Sequence, residues 1–183
     1  MRSFTTLLVL ALAVPAAAPT FAKATAGEQV TKQERAGIVN FSKVDAVVAC
    51  GGATDTSALE GLKADGFKAI INLRTPGEQG ANLEQNAARA KELGLKYISI
   101  PFSTQQLDPK VIDTFLAAIA DKSNQPAFVH CGSASRVGSV WLAKRVIQDG
   151  WTIEKATEEA KAIGLRGEPL EKFALDYIAS HKK

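Results

Sequence analysis

From Asp45 onward, short apolar runs alternate with segments of helical period, and turn-forming residues mark each change. AVVAC, Ala46 to Cys50, reads as a first buried strand ended by Gly51-Gly52. Ser57 and Glu60 have the spacing of a capping box for a helix carrying Leu59 and Leu62, and Gly66 stops that helix. KAIINL, Lys68 to Leu73, is a second buried strand, followed by a loop of turn formers from Arg74 to Gly80. A polar helix spans about Leu83 to Leu93 and is closed by Gly94; the alternation from Lys96 to about Ile100 then predicts a third strand. Asp108 and Pro109 stand as N-cap and first helical residue of VIDTFLAAIA, whose Val111, Ile112, Phe115, Leu116 and Ile119 share one face. The stretch Pro126 to Arg145 supplies a fourth strand, Ala127 to His130, and a helix from Arg136 that buries Val137, Val140, Trp141 and Val146. Helices from Thr152 to Ile163 and from about Pro169 to Ser180 close the chain, and Trp141 and Trp151 are both expected in the core.

Strands separated by helices need crossover connections, so the order predicts an α/β fold. It is a single domain over residues 40–183, with a mostly parallel, four- to five-stranded central sheet and helices on both faces. Residues 25–39 are polar without a period and read as an N-terminal arm. Residues 1–24 differ in kind: Arg2, an apolar run from Leu7 to Val14, and small residues around Ala22-Lys23-Ala24 form a secretory signal, cleaved after Ala22 or Ala24. The alternative is a retained membrane anchor. Export, to the periplasm, is the expected localisation, with no membrane association once the signal is removed.

Composition narrows the class of partner. The formal charge of +3 includes Arg2, which leaves with the signal, and Lys23, which leaves with it when cleavage follows Ala24, and no basic tract remains to argue for nucleic acid. His130 and His181 are too far apart in sequence to suggest a metal site, and no cofactor is implied. The sequence sets no oligomeric state.

Chemistry concentrates after the fourth strand. Cys131 is followed by the small residues Gly132, Ser133, Ala134 and Ser135 and then by Arg136 at the head of a helix. Backbone N–H groups of such a loop point inward beside the positive helix end, which makes an anion cradle with a thiol in its floor. The dipole and the guanidinium are both expected to favour the thiolate and make Cys131 a nucleophile. In open α/β sheets the loops beyond the strand carboxyl ends converge, here Cys50 to Ala53, Arg74 to Gly80, Phe102 to Asp108 and Cys131 to Arg136. Cys50 is either a small buried hydrophobe or a redox partner that locks Cys131 in a reversible disulfide.

The segment HCGSASRVG, after a buried strand and before a helix, resembles the active-site loop of cysteine-dependent protein phosphatases. With INLRTPGE (Ile71 to Glu78) and YISIPF (Tyr97 to Phe102) it is most similar to the bacterial phosphatase-like domain related to dual-specificity phosphatases, which also occurs fused to β-lactamase-like hydrolases. The resemblance covers roughly residues 40–151. It implies that Cys131 attacks phosphorus, that Arg136 and the backbone of Gly132 to Ser135 hold the phosphate oxygens, and that His130 supports the loop. The substrate it implies is a phosphate ester or phosphoprotein.

Several positions depart from that pattern. Four residues separate Cys131 from Arg136, one fewer than in the phosphatase loop and the length found in rhodanese sulfurtransferases. Ala134 replaces the mid-loop glycine, so a positive φ there costs about 1 kcal/mol. Val137 follows the arginine, which leaves Ser135 and Ser139 as the nearest hydroxyls. The stretch PFSTQQLD offers no acid before Asp108; Asp108 is therefore the candidate proton donor, in competition with a helix-cap role, and Glu78 is the other candidate. Arg74 either adds positive field at the site or pairs with Glu78. Three readings stand: a phosphocysteine-forming phosphatase; a sulfurtransferase in which a sulfane sulfur donor loads a persulfide onto Cys131; and a catalytically weak anion- or phosphopeptide-binding module.

Overall fold

The computed structural model describes residues 29–181; the expected signal at residues 1–24 lies outside them. The apolar runs form four parallel strands, and two short antiparallel strands extend one edge. In chain order these are β1 (Thr31–Lys32), β2 (Ser42–Lys43), β3 (Val48–Gly51), β4 (Ala69–Asn72), β5 (Lys96–Ser99) and β6 (Ala127–His130), and the sheet order is β1-β2-β3-β6-β4-β5. The sheet has six strands, because the arm contributes an edge hairpin whose two-residue strands are too short to leave a period in the sequence. β3 starts at Val48 instead of Ala46, since Asp45 Oδ1 accepts the Val47 N–H (3.0 Å) in a turn that Val44 N–H closes onto Val48 O (3.1 Å).

Alternate strand residues serve two cores. Val48, Cys50, Ile71, Val129 and Cys131 face α3 (Lys110–Ala120), α4 (Ser135–Ile147), α5 (Ile153–Ile163) and α6 (Glu168–His181). Ala49, Ile70 and Phe128 face α1 (Ala58–Ala64) and α2 (Leu83–Glu92). Central strands buried on both faces explain why the runs read as continuously apolar. Val137, Val140, Trp141 and Val146 of α4 are buried as expected. Trp151 is not: it is half-buried, and its ring is stacked by Arg145 at 4.5 Å and Lys155 at 3.7 Å.

The Ser57–Glu60 capping box does not form. Ser57 is already helical (φ −64°, ψ −26°), the Ala58 and Leu59 N–H groups are taken by the carbonyls of Asp55 and Thr56, and Glu60 pairs with Arg89 of α2. Behind the sheet, Arg145 holds a buried charge cluster. It donates to Glu159 through Nε (2.6 Å) and Nη2 (3.0 Å) and to Asp149 through Nη1 (2.8 Å), while Trp141 Nε1 donates to Glu159 Oε2 (2.7 Å).

Candidate active site

Cys131 directly follows β6 at the carboxyl edge of the sheet, and α4 begins four residues later. Between them the chain turns through Ala134 in the left-handed region (φ 74°, ψ −1°), the strained conformation expected of a residue standing where glycine is usual. The loop carbonyls are tied outward. Ala53 N–H donates to Gly132 O (2.9 Å) and Asn40 Nδ2 to Ser133 O (3.2 Å). Among the described residues, no backbone acceptor takes the N–H groups of Gly132, Ser133 and Ala134. With its carbonyls turned away, the loop presents its amides to the space above Cys131, as an anion nest does.

Close approach makes this possible. A Cβ at Gly52 would stand 3.0 Å from Gly132 O, and one at Gly164 would stand 2.8 Å from Asn40 Nδ2 and 3.0 Å from Ala134 Cβ. Asn40 itself adopts φ 53° and also donates to Ile163 O (3.0 Å), so one amide joins the α5–α6 turn to the loop. Lys32 Nζ bonds the Asn40 carbonyl oxygen and Ile163 O. Asn40→Gly keeps the left-handed backbone and removes only this brace; turnover is expected to fall about tenfold, the cost of a small misplacement of binding groups, with little change in the circular dichroism spectrum.

Arg136 is where the converging loops meet. Its Nη1 donates to Leu73 O at the end of β4 (3.1 Å) and to Phe102 O after β5 (2.7 Å), and Glu78 grips Nη1 and Nη2 at 2.6 and 2.7 Å. Arg136 is 8% exposed; burial alone would lower its pKa, and the Glu78 hydrogen bonds together with the nearby Cys131 sulfur raise it. Fixing the Nη1 side against protein leaves the opposite edge of the fork for an incoming anion.

Glu78 is therefore not the proton donor that its position suggested. Its carboxylate accepts from Thr75 N–H (2.7 Å), Thr75 Oγ1 (3.2 Å), both Arg136 nitrogens and Arg74 Nε (3.2 Å). Partial burial alone would raise its pKa; the Arg136 and Thr75 hydrogen bonds outweigh that and hold it down at about 2. A folded-state pKa below the unfolded value stabilises the protein above the unfolded value, and that contribution disappears as pH falls toward the folded one. Thermal melts are thus expected to lose stability as pH drops from about 4.3 toward 2, and Glu78→Gln should flatten that part of the profile.

The remaining expected residues separate into those at the site and those beside it. Arg74 turns into its own loop, donating to Gly80 O (2.8 Å), Gln79 O (2.6 Å) and Glu78; it braces the loop and does not line the cleft. Asp108 is exposed, its Oδ1 accepts the Lys110 N–H (3.0 Å) at the start of α3, and it too is absent from the cleft walls. Ser135 Oγ is spent on the backbone N–H and carbonyl of Arg166 (both 2.9 Å), and Ser139 Oγ donates to Leu170 O (2.8 Å), which ties α4 to α6 instead of supporting the loop. His130 is buried and stacked on Phe128 at 5.7 Å; burial pushes its pKa down to about 4, and Nδ1 has no hydrogen-bond partner among the described residues. The two cysteines are free. Cys50 pairs in register with Val129, so it lies diagonal to Cys131 on the same face. Burial pushes the Cys50 thiol well up, as expected of an inert core residue.

Beside the loop opens a cleft of about 580 Å³ lined by Thr75, Glu78, Ser103, Gln105, Ser133 and Arg136, among others, with Cys131 buried behind these walls. Asn40 and Gly164 were not legible as site residues: each is a single polar or small residue in a loop, and only the fold brings them to the cradle, whereas Gly52 belongs to the Cys50–Ala53 loop that the topology already placed there.

Solved structures share this architecture. The core catalytic domain of the PP-IP phosphatase SIW14 of S. cerevisiae superposes with a TM-score of 0.63 at 20% identity, covering 75% of this chain and 84% of that one. TpbA of P. aeruginosa gives 0.64 at 16% identity, covering 85% and 92%. A DUF442 protein from Shewanella putrefaciens CN-32 gives 0.68 at 17%, covering 80% and 96%. In sequence, the "Beta-lactamase hydrolase-like protein" of Xylella fastidiosa is 31% identical over 121 residues, which is 64% of this chain but only 26% of that protein. The chain thus spans about a quarter of the length of the curated relatives it matches. The family model described as "DSP-PTPase phosphatase fused to NAD+ Kinase" matches residues 17–173, and the protein belongs to that phosphatase family.

Proposed function

We propose that the protein is an exported, cysteine-dependent phosphatase that cleaves a phosphate ester through a phosphocysteine intermediate. The observation that carries this reading is the cradle: loop carbonyls tied outward, amides left free, and Arg136 fixed beside Cys131 by Leu73, Phe102 and Glu78. Cys131 attacks phosphorus from the cradle floor. The free amides and the open edge of Arg136 bind the equatorial oxygens and stabilise the charge that builds on them. Water then cleaves the S–P bond. The signal at Met1 to Ala24 supports action in the periplasm; no described helix is long and apolar enough to cross a membrane.

The reduced protein is expected to hydrolyse p-nitrophenyl phosphate with competitive inhibition by vanadate, and absence of turnover across a phosphoester panel would refute the proposal. The loop of four residues favours a second reading, sulfur transfer, because a smaller ring suits a persulfide. Mass spectrometry after exposure to thiosulfate separates them: an added sulfur on Cys131, with no phosphatase activity, selects the second.

A further inference from the structure

The proton needed by a departing alkoxide has no source in the cleft. Among the described residues, the cleft walls contain one carboxylate, Glu78, and its two oxygens already accept from Thr75, Arg74 and both terminal nitrogens of Arg136. Asp108 sits outside the walls and accepts the Lys110 N–H. Ser103, Thr104 and Gln105 occupy the rim where the resemblance led one to look for an acid. They offer hydrogen bonds, but a hydroxyl or an amide does not release a proton near neutral pH.

Two further properties of the walls bear on what fits. Arg136 and Glu78 cancel in charge, so beyond the cradle a polyanion meets no additional cation in the lining. The lining also contains no aromatic ring on which an aryl group would stack, and instead presents the hydroxyls of Thr75, Ser103, Thr104 and Ser133.

We propose, resting on the phosphatase reading, that this site acts on compact, polar acyl phosphates, whose leaving group departs as a carboxylate and needs no proton. The balance closes without an acid. The Cys131 thiolate forms the S–P bond as the P–O bond to the acyl oxygen breaks, and the electron pair leaves on the carboxylate. Water then adds to phosphorus, the S–P bond breaks to return the thiolate, and both protons of that water depart on dihydrogen phosphate. Alkyl phosphates enter the same cradle but stall at the first step.

The test compares, on the full reduced chain, acetyl phosphate, glycerol 3-phosphate and aryl phosphates graded from nitrophenyl to phenyl, with Cys131→Ser as the background. Acetyl and nitrophenyl phosphate are expected to exceed phenyl and glycerol phosphate in kcat/KM by at least about 10²-fold, the lower bound of what a general acid supplies. Phenyl or glycerol phosphate turned over within about tenfold of nitrophenyl phosphate, a flat dependence on leaving group, would overturn the inference while leaving the phosphatase reading in place. Asp108→Asn, which retains a helix-capping side chain, should change none of these ratios; a selective fall with phenyl phosphate would make Asp108 the donor and also overturn it. Absence of turnover with every compound would overturn the phosphatase reading and this inference with it.

Discussion

Arg136→Lys is expected to lower kcat/KM for p-nitrophenyl phosphate by about 10³-fold, close to the complete loss expected in Cys131→Ser. The size of the effect follows from how the guanidinium is held. Leu73 O, Phe102 O and Glu78 fix one side of the planar fork, so the other side meets the phosphate already oriented. An ammonium has no second edge, and it cannot satisfy two carbonyls, a bidentate carboxylate and an anion at once. Steady-state kinetics on the two variants and on Arg136→Ala checks this. The lysine variant should behave like the alanine variant, and recovery of more than about a tenth of wild-type activity by lysine would show that charge alone suffices.

Glu159→Ala is expected to cost about 2–4 kcal/mol of stability, because it removes two buried charge-assisted hydrogen bonds and leaves Arg145 only Asp149 and the more distant Asp45. Arg145 loses its bidentate partner and the Trp141 N–H loses its acceptor, in a layer where Glu159 is 9% exposed. For a chain of this size each kcal/mol shifts the midpoint by about 2–4 °C, so thermal melts should move by roughly 4–16 °C. The contrasting variant is Lys172→Ala, whose ion pair with Asp176 along α6 has both side chains about two-thirds exposed. Such pairs contribute about 0.3–0.5 kcal/mol, and its melting curve should overlay that of the wild type.

What the sequence revealed depends on how local each signal is. β4 and β6 are runs of residues buried on both faces, and α3 carries its apolar face at helical spacing; both patterns are internal to the segment and were legible. The edge strands β1 and β2 are two residues each and owe their existence to pairing, β1 with β2 and β2 with β3, which leaves no local trace. The Ser57–Glu60 spacing is a local signal that the fold overrode, since the preceding turn had already supplied carbonyls for the first N–H groups. At the site, Cys131 and Arg136 were legible because strand, loop and helix are contiguous. Glu78 was seen as a candidate acid and as a partner of Arg74, and the local pair with Arg74 forms; its grip on Arg136, which is 58 residues away, left no local signal. Asn40, 93 residues from the loop carbonyl it binds, had no signal at all.

The outward-tied loop has a thermodynamic consequence. Because Ala53 and Asn40 already hold the carbonyls of Gly132 and Ser133, an anion entering the nest has little backbone left to immobilise. The entropy penalty that usually accompanies ligand-induced ordering was met when the chain folded. Calorimetry with orthovanadate or inorganic phosphate should then record a small heat-capacity change, and backbone NMR order parameters of Gly132 to Ser135 should already be those of rigid backbone before any ligand arrives.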